Sequence, residues 1–97
     1  MRITFKRLPG KTVLVGLTYH NKDGEVIEQT QFRGTVVKAD KRKAIVIQKA
    51  DDDEEFTLPP DLRSWRVAPP GEYRLRSTGE AVVNPDLLTS WTITTPE

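Results

Sequence analysis

Side chains branched at Cβ dominate this sequence. Val, Ile and Thr account for 25 of its 97 residues, whereas Ala contributes 5. Branching restricts χ1 and crowds a helix, but it packs well on a pleated surface. The order of the residues agrees: Val13, Val15, Leu17 and Tyr19 fall on one face of an extended segment, with Leu14, Gly16 and Thr18 on the other. That period of two marks a half-buried strand.

Asn21 to Gly24 reads as a turn, and the chain then runs extended from Val26 to about Lys38 with Gly34 inside the run. Glycine within a strand marks a bulge or a sharp curl, so the bend of this long strand is placed at Gly34. Asp40 to Lys43 forms a charged turn, Ala44 to Lys49 a short apolar strand, Asp51 to Glu55 a second charged turn, and Phe56 to Leu58 a fourth strand stopped by Pro59 and Pro60. Beyond it, Tyr73 to Arg76, Ala81 to Val83 and Trp91 to Thr94 are candidate strands, separated by Ser77-Thr78-Gly79 and Asn84-Pro85. Asn84 before Pro85 suits a helix cap, which predicts one helical turn over Pro85 to Thr89. The segments PDLRSW and PDLLTSW, ending at Trp65 and Trp91, read as two turns that each deliver a Trp to the core. The fold class is all-β: a small five-stranded, strongly bent barrel over 11–58, with a short C-terminal β extension over 59–97 packed on it and one or two single-turn helices. A chain of 97 residues is the length of a single domain.

The chemistry available is narrow. Cysteine is absent, and His20 is the one imidazole, so disulfides and thiolate zinc sites are excluded. No GxSxG, Gly-rich phosphate loop or HExxH occurs, and neither a catalytic constellation nor a cofactor is implied. The opening MRITFKRLPGK has no signal-peptide core, and no apolar run is long enough to span a bilayer, so the expectation is a cytoplasmic protein without membrane contact.

Charge is distributed unevenly. Residues 1–50 hold 11 Lys and Arg against 4 acids, and residues 51–97 hold 4 against 10, although the net charge is only +1. Lys38, Lys41, Arg42 and Lys43 gather on one predicted hairpin, a candidate contact for phosphate or for a protein partner. The DDDEE run at 51–55, with Asp52 and Asp53, lacks the alternate ligand spacing of a calcium loop and reads as an exposed acidic turn that discourages edge pairing. Arg63 and Arg66 lie close in sequence to Trp65, and Arg74 and Arg76 to Tyr73. Cations interleaved with aromatics in this way also occur at single-stranded nucleic acid sites.

Phe32 to Glu55, FRGTVVKADKRKAIVIQKADDDEE, resembles the first half of an Sm-type RNA-binding barrel: an apolar residue, one intervening residue, Gly34, alternating apolar residues, then Asp40 six after the glycine. GKTVLVGLTYH is similar to that family's first strand, and the likeness covers about half the chain. Barrels of the Src-homology-3 type share this pattern. The tail segment GEYRLRSTGE is also similar to that of a group of bacterial proteins to which no activity attaches. The Sm resemblance implies RNA binding by Lys41, Arg42 and Lys43. Three features depart from it: the family's base-contacting Asn falls on Ala44, its apolar-Arg-Gly turn is replaced by LPPDL, and the loop from Tyr19 to Val26 is longer than the family's. The sequence therefore points to a non-enzymatic β-barrel binding module that engages a protein partner through exposed charge on two neighbouring hairpins, Lys38 to Lys43 and Asp51 to Glu55 with Asp52 and Asp53, and with Arg63 and Arg66 as further candidate contacts. An Sm-like RNA binder is the alternative, and an inhibitor or immunity-type protein would share the chemistry of the first reading.

Overall fold

A computed structural model describes residues 2–76 and 78–96. Eight strands follow in order: β1 Thr12–His20, β2 Val26–Asp40, β3 Ala44–Lys49, β4 Glu55–Leu58, β5 Trp65–Val67, β6 Glu72–Arg74, β7 Ala81–Val83 and β8 Leu87–Thr94. Six of them form one sheet in the order β4-β3-β2-β1-β8-β5, and β6 and β7 pair as a separate hairpin. The all-β reading holds, and β3 has the bounds the sequence predicts. The five-stranded barrel does not hold. Only four strands lie within 11–58, and β5 and β8 of the tail are built into their sheet, the β6–β7 hairpin alone resting on it. The reason is β8, which runs parallel to β1 along its whole length, from Val13 opposite Leu87 to His20 opposite Thr94. Closing a barrel over 11–58 would require that same edge of β1.

The sheet is curled without being closed. Its outer strands β4 and β5 are consecutive in the chain, and Leu58 of the one and Trp65 of the other enter a single apolar cluster with Val13, Val15, Leu17, Phe32, Val36, Ile45, Ile47 and Leu87. Residues paired across strands share a face, so the register places Val13, Val15 and Leu17 with Phe32, Leu87 and Trp91 toward this core. Leu14, Gly16 and Thr18 turn to the opposite, outer face with Gln31, Arg33 and Ser90. Trp65 is buried, its Nε1–H without a hydrogen-bond partner among the described residues. Trp91 is half-buried and donates from Nε1 to Thr89 Oγ1 at 2.9 Å.

Gly34 has a different role from the one expected. Its φ is not positive, and the register shift of β2 falls two residues further on, between Val36 and Lys38. At Gly34 the strand gains its second neighbour, β3, whose backbone approaches so closely that a Cβ would stand 2.5 Å from Gln48 O.

The predicted helical turn at Pro85–Thr89 is absent. Asn84 has φ 48, in the left-handed region, whereas a helix cap requires extended backbone. Its N–H donates to Gly71 O and its Oδ1 accepts from Gly71 N–H, both at 2.8 Å, closing the β6–β7 hairpin from below. The chain then enters β8 at Leu87. The single helical turn among the described residues is a 3-10 turn at Phe5–Arg7. Of the turn expected at Ser77-Thr78-Gly79, Ser77 lies outside the described residues and Gly79 has φ 76.

The β6–β7 hairpin is fastened to the outer face of β2. Arg76 N–H donates to Gln31 Oε1 at 2.7 Å, and Arg33 Nε pairs with Glu80 Oε2 at 2.7 Å. Leu75 and Val82 are buried outside the main cluster.

Candidate interaction surface

The β2–β3 turn presents the cations the sequence singles out. Asp40 Oδ1 accepts the Arg42 N–H at 2.8 Å, and Lys43 N–H donates to Asp40 O at 3.2 Å, so one acidic residue fixes a turn that carries Lys41, Arg42 and Lys43. All three are exposed, as is Lys38 on the adjoining end of β2. The fold adds a second source of charge. Ahead of β1, Gly10 N–H donates to Val36 O at 2.7 Å and Val36 N–H to Lys11 O at 2.9 Å, so the N-terminal segment lies along the end of β2 just before Lys38. Leu8, wholly buried, anchors that segment, and the Phe5–Arg7 turn packs on β2. The N-terminal segment thus brings Lys11 beside Val36 and carries Lys6 and Arg7 on a turn packed against β2, and none of Lys6, Arg7, Lys11, Lys38, Lys41, Arg42 and Lys43 is in a salt bridge among the described residues. Sequence spacing could not group them, because the return of residues 8–11 onto Val36 depends on where β1 docks.

The acidic turn is not beside this cluster. The two turns leave opposite ends of β3, whose six residues span about 20 Å at strand rise. Asp52 is engaged locally: Oδ1 accepts the Glu54 N–H at 3.0 Å and Oδ2 meets Lys49 Nζ at 3.4 Å. The backbone donor first, then Lys49, holds its carboxyl below the usual carboxylate value. Asp53 sits at φ 58 and is exposed, an unusual backbone angle that Asp tolerates in turns.

Arg63 and Arg66 have other surroundings. Arg63 grips Asp61 in a two-pronged contact, Nη2 to Oδ2 at 2.7 Å and Nε to Oδ1 at 3.0 Å. That contact is the main cause that draws the Asp61 carboxyl down to about 2. Arg66 stands on the outer face of β5, paired with Leu88, in a row that continues through Leu14 to Arg33. The aromatic interleaving fails because Trp65 points into the core and Arg66 away from it. Across the described residues every Phe, Tyr and Trp is buried or half-buried.

No group of three or more His, Asp or Glu side chains able to hold a metal ion occurs among the described residues. Among the described residues no helix is long and apolar enough to cross a membrane. Comparison with protein-family models, with curated proteins and with solved structures found no match.

Proposed function

We propose that this protein is a non-enzymatic binding module that docks an acidic surface of a protein partner on its basic end, through Lys38, Lys41, Arg42 and Lys43 with Lys6, Arg7 and Lys11. The observation that carries the reading is the segregation of charge: the β2–β3 hairpin carries Lys38, Lys41, Arg42 and Lys43, none in an ion pair among the described residues, and the DDDEE turn leaves the opposite end of β3, about a strand length from the Lys41–Lys43 turn. Such a field steers an oppositely charged partner and suppresses a like-charged one. A protein is favoured over single-stranded RNA because no exposed aromatic side chain is at hand for bases to stack on, the contact that supplies much of single-strand affinity. An inhibitor that caps an enzyme would use the same surface.

The test compares the wild type with Lys41→Glu/Arg42→Glu/Lys43→Glu and with Asp52→Lys/Asp53→Lys as baits in nuclease-treated extract, each captured protein then being purified and titrated by calorimetry. The expected result is an acidic protein that binds the wild type and the Asp variant but loses affinity for the triple variant. Capture that disappears on nuclease treatment, with RNA affinity falling steeply as salt rises, transfers the surface to nucleic acid. A partner that binds the triple variant as well as the wild type refutes the assignment of the surface.

A further inference from the structure

On the face of the sheet away from the core, above the middle of β1, the chain leaves a half-open cleft of about 270 Å³. Its walls are Gly16 and Thr18 of β1, Gln29 and Gln31 of β2, Ser90 of β8, and Arg76 from the end of the β6 hairpin. The floor is open because residue 16 is glycine, where a Cβ would meet only Ser90 Oγ, at 3.6 Å. One wall is fixed: Gln31 Oε1 accepts the Arg76 backbone N–H at 2.7 Å, which leaves the amide NH2 of Gln31 as a free donor. That bond also holds Arg76 at the rim. Nearby arginines are committed, Arg33 to Glu80 and Arg74 to Glu72, whereas Arg76 is in no ion pair among the described residues.

We propose that this cleft binds an amino-acid-sized carboxylate, the Arg76 guanidinium receiving the carboxylate and Thr18, Ser90, Gln29 and Gln31 receiving polar substituents of the ligand. Size sets the first limit, since the volume falls just under the range of drug-sized sites, roughly 300–1,000 Å³. Charge sets the second. A single guanidinium balances one negative charge and presents a planar fork that matches a carboxylate, whereas a phosphate near neutral pH carries more charge than the cleft offsets. The remaining groups are neutral hydroxyls and carboxamides, each both donor and acceptor, which suit hydroxyl or amide substituents.

The experiment follows backbone amide NMR shifts of the full chain during titration with N-acetylglycine, with uncharged N-acetylglycinamide as the matched control. The proposal expects saturable shifts centred on Gly16, Thr18, Gln31 and Ser90, with the amide about ten- to hundredfold weaker. Arg76→Gln, at an exposed position, should weaken N-acetylglycine to the level of the amide, and Gly16→Val should abolish binding by filling the floor. A tetrapeptide with a free C-terminus separates two sources of the same chemistry. Tighter binding than N-acetylglycine assigns the cleft to chain ends, and equal or weaker binding assigns it to free small molecules. Shifts that never saturate, equal response to the amide, or unchanged binding by Arg76→Gln would overturn the proposal.

Discussion

The same substitution at two glycines of neighbouring strands should have opposite effects. At Gly34 a new Cβ would lie 2.5 Å from Gln48 O and 2.7 Å from Ile47 Cγ2, while ordinary contact begins at 3.4 Å. The Ile47 methyl can turn aside, but the Gln48 carbonyl belongs to the backbone of β3, which must retreat by roughly an ångström. Overpacking of this kind costs about 1–3 kcal/mol. Retreat also weakens the ladder at the Gly34–Lys49 pair, worth about 1 kcal/mol for each hydrogen bond lost. Loss of glycine's freedom in the unfolded chain returns only about 0.4–1 kcal/mol. Gly34→Ala should therefore destabilise by about 2–3 kcal/mol, a fall in Tm of roughly 10–25 °C for a domain of this size. Gly16→Ala meets only Ser90 Oγ, at 3.6 Å, so the unfolded-state term acts alone and Tm should hold or rise by a few degrees. Urea and thermal denaturation of the two variants beside the wild type measure both. If Gly34→Ala melts within two or three degrees of wild type, β3 does not approach β2 as described, and the reasoning fails.

Three further outcomes follow from named contacts. Thr89 is buried, donates from Oγ1 to Ser64 O at 2.9 Å and accepts Trp91 Nε1–H at 2.9 Å; Thr89→Val keeps the shape, strands both partners and should cost about 1–3 kcal/mol in urea denaturation, with a shifted Trp emission. Asp86 Oδ2 accepts from Thr12 N–H at 2.9 Å and Thr12 Oγ1 at 3.0 Å, tying the start of β8 to β1, so Asp86→Ala should lower stability by about 1–2 kcal/mol and speed amide exchange first at Thr12. The Asp61 carboxyl, drawn from 3.8 to about 2 chiefly by Arg63, is a depressed acid: what it contributes is present above pH 3.8 and is lost as pH falls through about 2. Both groups are solvated, so the effect on Tm at neutral pH should be negligible, while Arg63→Ala should return the Asp61 titration seen by NMR to the ordinary carboxylate range.

Much of the strand pattern was legible because a half-buried strand imposes a period of two on local residues, as at Val13, Val15 and Leu17. Two strands were harder to see. Trp65–Val67 is three residues long, too short for a period to show. The start of β8 at Leu87 was obscured by Asn84-Pro85, a helix signal that the left-handed backbone of Asn84 turns to hairpin closure. Of the site residues, Lys38 and Lys41–Lys43 share one hairpin, as local spacing requires, but Arg63 pairs with its own neighbour Asp61 and Arg66 faces away from the buried Trp65.

The sequence by itself determined the strand class, the positions of the charged turns and the apolar side of β1, since each of these depends on residues within a few positions of one another. Only the tertiary structure decided that β8 runs beside β1, in place of barrel closure. The same long-range pairing aligns Gly16 with Ser90 and so opens the cleft beneath Arg76. The return of Lys11 onto Val36 lays the N-terminal segment, with its cations, along β2. Such pairings join residues tens of positions apart, and their free energy comes from one shared core of side chains that no local pattern encodes.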